Sequence, residues 1–160
     1  MICSRMSRDE IKQTIDDFLS LIEKGCGSAE ENEAKLKLLL DKLALAQHFA
    51  TYKFDKNDYA DAPRKTDAEL RKMVTVQFPN YGYYNIAEDV TTKIGESNAI
   101  VGDAIDDISD IAKELYETKW RWDNNSPEDS LWHFKNNFEM HWGEHLRELQ
   151  IYLLNLKRGT

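Results

Sequence analysis

Cysteine is close to absent from this chain of 160 residues: there are two, Cys3 and Cys26, on an expected tail and an expected turn. Neither belongs to a C-x-x-C pair, so a disulfide framework and a cysteine-based zinc or redox centre are excluded. Proline and glycine are also scarce, at three and seven residues, and there is no Gly-rich phosphate loop, low-complexity tract or internal repeat. The longest apolar runs, such as Leu38-Leu39-Leu40, fall far short of the roughly 18 residues that span a bilayer. Met1-Ile2-Cys3-Ser4-Arg5 lacks the apolar core of a signal peptide. These absences predict a cytoplasmic chain with no membrane partner. Positive charge is in deficit as well: 21 bases against 29 acids give a net charge of −8. A phosphate backbone is repelled by such a surface unless the bases gather on one face, so nucleic acid is not an expected partner.

What is present suits one globular domain. Hydrophobic residues make up 41% and charged residues 31%, a balance that supports a core and argues against disorder and fibres. Ser7/Glu10, Ser28/Glu31, Thr66/Glu69 and Ser126/Asp129 each place a hydroxyl three residues before an acid, ahead of an apolar-periodic stretch. Such pairs satisfy amide groups that a helix start leaves orphaned, with Asp a weaker partner than Glu. The first helix carries Ile11, Ile15, Phe18, Leu19 and Ile22 and stops at Gly25-Cys26-Gly27. The second, about 30–50, has leucine on almost every side and is expected to be the central helix; that all-round leucine also leaves a homodimer interface open beside a monomer. A tail is expected over 1–6 and a long polar loop over about 52–65. A third helix covers about 67–78, and Val74-Thr75-Val76 is the one place where a strand is conceivable. Residues 79–98 read as an aromatic loop, with Tyr81, Tyr83 and Tyr84 over the bundle, followed by an irregular segment. Two long helices, about 99–121 and 127–156, complete an all-α bundle of four to five helices, mostly antiparallel.

The helix after residue 99 bears an acidic row: Asp103, Asp106, Asp107, Asp110, Glu114 and Glu117 fall within about 100° of arc. Ala104, Ile105, Ile108, Ile111, Ala112 and Leu115 lie opposite. The row reads as a solvated face, as a surface for a basic protein partner, or as a divalent-metal site of the kind that helical nucleotide pyrophosphatases build from paired acidic helices. The last helix has a core stripe of Leu131, Phe134, Phe138, Trp142, Leu146, Leu149, Leu153 and Leu156. On the same wheel His145 lies about 40° from its centre and His141 about 80°, so both should be partly buried. His141-Trp142-Gly143-Glu144-His145 has the i, i+4 spacing of a metal-ligand pair. It lacks the glutamate that a zinc protease needs directly after the first histidine. Buried histidines that bond to a carboxylate or a carbonyl are the structural alternative. Gly143, costly in mid-helix, suggests a backbone or ring packed closely against it.

A third ligand suggests a resemblance. His48 on the second helix, with His141 and His145 on the last, looks like the arrangement of DinB-type metal-binding bundles in order and rough separation. The wheel, however, puts His48 beside Asp41 and Lys37 in the polar wedge. A more specific resemblance runs from Leu36 to Leu156 and rests on Phe78-Pro79 with Tyr83-Tyr84, on Val101-Gly102-Asp103-Ala104-Ile105-Asp106-Asp107-Ile108-Ser109-Asp110-Ile111, and on Phe138-Glu139-Met140-His141-Trp142-Gly143-Glu144-His145. These segments resemble a bacterial family described as domain of unknown function 5063. The resemblance implies a helical bundle and supplies no reaction; the first thirty-five residues and the 52–65 loop add little to it. If the acidic and histidine helices pack side by side, an Asp of one orients His141 or His145 of the other, either as a buried structural pair or as half of a site. The leading expectation is a non-catalytic binding module that needs no cofactor and docks a protein partner through the acidic helix or through Tyr81, Tyr83 and Tyr84. The alternative is a metal-dependent enzyme with a divalent ion near Asp103, Asp106, Asp107, Asp110, His141, Trp142 and His145.

Overall fold

The computed structural model describes residues 5–156. Its helices are α1 (Arg8–Lys24), α2 (Ala29–Phe49), α3 (Asp67–Gln77), α4 (Ala104–Asn124), α5 (Pro127–Asn137) and α6 (Gly143–Asn155), with strands β1 (Tyr83–Ala87) and β2 (Ala99–Asp103). A π-helical turn, Phe138–Trp142, joins α5 to α6. The bundle is mostly helical, as the periodicity predicts. Cys3 lies outside the described residues, and Cys26 is a free, exposed thiol.

Three helix starts are complete capping boxes: Ser7, Ser28 and Thr66 accept from the amides of Glu10, Glu31 and Glu69, whose carboxylates reach back to the cap amides. The fourth is half of one. Ser126 Oγ accepts from the Asp129 amide at 3.0 Å, but the shorter Asp129 side chain turns to Arg121 and Asn125 instead. Pro127 stands in the first turn, where its missing N–H leaves no bond unmade.

Three expectations are corrected by the tertiary structure. The central helix is α4, which packs against α1, α3, α5 and α6, whereas α2 lies to one side on α1 and α6. Two of its leucines, Leu38 and Leu45, stay exposed. Residues 99–103 are not the first turn of a helix but strand β2, paired antiparallel with β1, while 74–76 stay helical. The β-branched Ile100-Val101 step suits extended backbone, and Asp103, whose Oδ1 accepts from the Ile105 amide at 3.0 Å, caps the helix that follows. Within the 79–98 segment Tyr83–Ala87 is thus one half of a hairpin, while 88–98 form its irregular connection to β2. The last helix is also interrupted. The π turn adds a residue to one helical turn, which rotates the polar faces on either side of it out of the 100° wheel.

One apolar core runs through all the helices, with Phe18, Leu36, Leu40, Leu70, Ile108, Phe134, Trp142 and Leu149 buried. The hairpin leans on it through aromatic rings. Tyr81 and Tyr84 lie 5.5 and 5.1 Å from Tyr152, ring centre to ring centre, and Tyr81 stacks on Phe78 at 5.1 Å. Tyr152 Oη accepts from the Gly82 amide at 3.2 Å, which ties the entry to β1 onto α6. No regular element lies between α2 and α3. That connection is pinned instead, with Asp55 Oδ2 accepting from Ser126 Oγ at 2.6 Å and from Tyr59 at 2.7 Å.

Candidate functional site

The acidic row of α4 faces the histidines. Asp107, only 5% of whose side chain is exposed, accepts from His145 Nδ1 at 2.8 Å through Oδ1 and from the Tyr84 hydroxyl through Oδ2. Asp110 Oδ2 lies 3.5 Å from His145 Nε2. Glu114 takes His141 Nδ1 on Oε1 at 3.1 Å and the Asn137 amide on Oε2 at 2.8 Å. Further along, Glu117 and Asp129 flank the buried guanidinium of Arg121 at 2.9 and 3.1 Å. The other end of the row is neutralised from α3, where Arg71 bridges Asp103 at 2.9 Å and pairs with Asp106. An acidic stripe that looks unbalanced in sequence thus meets Arg71 of α3, His145 of α6, His141 of the π turn and, on α4 itself, Arg121. Its innermost member, Asp107, is buried rather than solvated.

Asp103 and Asp106 consequently belong to the Arg71 ion pair and not to the histidine cluster. Trp142 is core: it packs edge-on against Phe138 and tilted against Phe134, fully buried. His48 is exposed on α2 and belongs to neither cluster of potential metal ligands, so the DinB-like triad is not assembled. His141 is exposed, more than the wheel predicts, because it sits inside the π turn; His145 is half-buried. Gly143 does have a close neighbour, but it is its own helix: its amide donates to the Phe138 carbonyl, and a Cβ would collide with that oxygen and lie 3.1 Å from the Phe138 ring.

Two groups of side chains have ligand atoms all within 4.8 Å of one another: Asp110, His141 and His145, and Asp107, His145 and Glu148. The first is the better metal set. Carboxylates only accept, so Asp107 and Glu114 put the protons of the neutral rings on Nδ1 and leave Nε2 of each histidine with a lone pair. This carboxylate–histidine pairing is the usual outer layer of a metal site. With the ring neutral, His145 Nε2 and Asp110 Oδ2 are two acceptors facing each other at 3.5 Å, a contact that either a cation bound between them or a second ring proton relieves. Two ligands of a tetrahedral zinc ion, at 2.0–2.2 Å from it, stand about 3.3–3.6 Å apart. In the second group the Asp107–His145 contact is already occupied by the Nδ1 proton.

The cluster shifts the titration of three of its members. The hydrogen bond to Asp107 raises the pKa of His145 above the ordinary 6.5, against desolvation and helped by Asp110. Burial raises Asp110 above the usual carboxylate range, with His145 and His141 pulling it back. Glu148 is raised by burial and by Asp107. Asp110 and His141 also line a cleft of about 760 Å³, whose walls include Glu114, Asn137 and His133 and, from the α2–α3 connection, Asp61 and Arg64.

Of the tyrosines expected to form a surface, Tyr81 and Tyr84 are half-buried against Phe78 and Tyr152, and Tyr83 alone is exposed, at 73%. The sequence pattern pointed to neither the Glu148 carboxylate nor the Arg71 counter-ion, and it placed Tyr84 on a docking surface rather than against Asp107. Of these, Glu148 was visible as an acid three residues after His145 on the same helix.

The architecture is thus a helical bundle with a His/Asp cluster at the junction of α4, the π turn with α6, and the hairpin. The chain belongs to the family described as Domain of unknown function (DUF5063), which matches residues 5–158; the match takes in α1 as well as the motif segments. A solved structure, protein BF1032 from Bacteroides fragilis, is similar in fold, with a TM-score of 0.74, 16% sequence identity, and 95% of this chain and 92% of that one covered. No curated protein matches. No helix among the described residues is long and apolar enough to cross a membrane.

Proposed function

We propose that this domain is a metal-binding module that holds a divalent transition-metal ion on Asp110, His141 and His145. The carrying observation is the facing pair His145 Nε2 and Asp110 Oδ2 at 3.5 Å, beside His141, with both histidine Nδ1 atoms on carboxylates. Ligation by two imidazoles and one carboxylate favours Zn²⁺ or Ni²⁺ over Ca²⁺, Mg²⁺ or Mn²⁺, which prefer oxygen-rich shells. Three protein ligands leave a coordination position open, the pattern of catalytic rather than structural zinc.

A catalytic role is the second reading, favoured because two of the three ligands line the 760 Å³ cleft. A small molecule bound there lies beside the open position, and the ion would act on it as a Lewis acid. Docking of a protein partner through the acidic row or the tyrosines has less support, since Arg71, Arg121, His141 and His145 already satisfy the row and two of the tyrosines pack inward.

The test is metal content by mass spectrometry on tag-free protein purified without chelator, then loaded with Zn²⁺, Mn²⁺ or Ni²⁺. The reading expects one ion per chain in the wild type and none in His145→Ala. Absence of bound metal under every loading overturns it.

A further inference from the structure

We infer that the β1–β2 hairpin positions the metal ligand His145, with Tyr84 holding Asp107 and Asp107 in turn fixing the imidazole so that Nε2 faces Asp110 and His141. The inference rests on the metal reading above and concerns how that site is kept in register.

The chain of contacts crosses four elements. Tyr84 on β1 pairs with Gly102 on β2, and a Cβ on Gly102 would lie 2.6 Å from both Tyr84 Cζ and Ile86 Cδ1. Glycine is needed there for close approach rather than for its backbone freedom. The Tyr84 ring sits against that bare backbone, with Tyr152 5.1 Å away on α6, and its hydroxyl reaches Asp107 Oδ2 on α4. Asp107 Oδ1 meets His145 Nδ1 on α6 at 2.8 Å.

A carboxylate this buried needs both oxygens satisfied, because each lost hydrogen bond leaves a desolvated lone pair. Tyr84 and His145 each supply one bond. Removing the phenol hydrogen bond therefore frees Asp107 to rotate, and His145 loses the acceptor that keeps the proton on Nδ1. Burial and the Asp107 carboxylate both push the Tyr84 phenol to a higher pKa, so it remains a donor at neutral pH. His141 needs no such device from the hairpin. It is oriented by Glu114 of α4, whose other oxygen accepts from Asn137 of α5. Gly102, Tyr84, Asp107 and His145, dispersed over the sequence, become one line of support ending at a ligand nitrogen.

The experiment compares full-length wild type, Tyr84→Phe, Asp107→Asn and His145→Ala, all free of tags. Zn²⁺ affinity is measured by calorimetry, and the His145 tautomer of the metal-free protein by long-range ¹H–¹⁵N NMR above its titration midpoint. Outer-layer substitutions weaken metal sites by about 10–100-fold, so Asp107→Asn is expected within that range, Tyr84→Phe at its lower end, and His145→Ala at loss of binding. The wild type should show the Nδ1–H form, and both Tyr84→Phe and Asp107→Asn a shift toward Nε2–H. Far-UV circular dichroism checks that each variant is folded, and Tyr84→Phe, which deletes one oxygen, is the mildest. Zn²⁺ affinities within twofold of wild type together with an unchanged tautomer would overturn the inference while leaving the metal site intact. If the wild type binds no Zn²⁺, the metal reading falls, and the tautomer comparison alone decides whether the hairpin sets the ring.

Discussion

His145 donates from Nδ1 to Asp107 Oδ1 across 2.8 Å and so joins α6 to α4 where little of the carboxylate meets water. The bond favours the charged imidazole, which raises its pKa above 6.5. A raised folded-state value means that the associated stability is fully present below 6.5 and is lost as pH rises through the higher folded midpoint. In metal-free protein, NMR titration should place the His145 midpoint above 6.5, and Asp107→Asn should bring it down. A midpoint at or below 6.5 in the wild type would contradict this geometry.

His133 should move the other way. Burial, and after it the positive charge of Arg121, lower its pKa from 6.5. Folding then favours the neutral ring, so stability is undiminished above 6.5 and declines as pH falls through the lowered midpoint. Replacing Arg121 with Ala removes the opposing charge, and the His133 midpoint should rise in the same NMR experiment.

Arg121→Ala also carries a stability prediction. The guanidinium is buried between Glu117 and Asp129, and deleting one side of a buried ion network costs about 3–5 kcal/mol. Urea unfolding should show the loss. A change below 1 kcal/mol, on the order of an exposed ion pair, would mean that water reaches the site.

Gly143→Ala tests the π turn. Alanine gains about 1 kcal/mol over glycine in an ordinary helix interior. Here its Cβ meets the Phe138 carbonyl, and overpacking typically costs about 1–3 kcal/mol. The variant should melt several degrees below wild type, at about 2–4 °C per kcal/mol for a chain this long, and should bind Zn²⁺ more weakly because His141 lies within the turn. A variant more stable than wild type would show that the turn reverts to α-helix at no cost.

Metal loading should stabilise the fold. An ion that binds only the native state adds about 2.7 kcal/mol at one hundred times its Kd. Thermal melts with Zn²⁺ should therefore shift upward in the wild type, shift less in Asp107→Asn, and not shift in His145→Ala. Chelator should reverse the gain.

Much of the bundle was legible because its signals are local. Hydroxyl–acid pairs announced helix starts at Ser7, Ser28 and Thr66, and periodic apolar residues traced the core faces. Where the reading failed, a non-local or rare feature intervened. Strand β2 exists because β1 lies beside it; no wheel shows a partner strand sixteen residues upstream of Ala99 at Tyr83. The π turn defeated the wheel at His141 because one added residue changes every angle beyond it. The all-round leucine of α2 suggested a central place, yet centrality depends on how many helices find room against a given one, and α4 has that place.

By itself the sequence determined the helical class, the helix starts, the presence of an acidic row and the His141/His145 pair, since spacing along one chain decides which residues share a face. Only the tertiary structure decided which carboxylate meets which ring. Asp107 and Asp110 are one turn apart on the same helix, yet one is buried under Tyr84 with His145 Nδ1 and the other opens toward Nε2 and the cleft. That division comes from the rotation of α6 after the π turn and from the hairpin packed against α4. The first is a rare local feature that a regular wheel does not show, and the second is set by contacts between residues far apart in the chain.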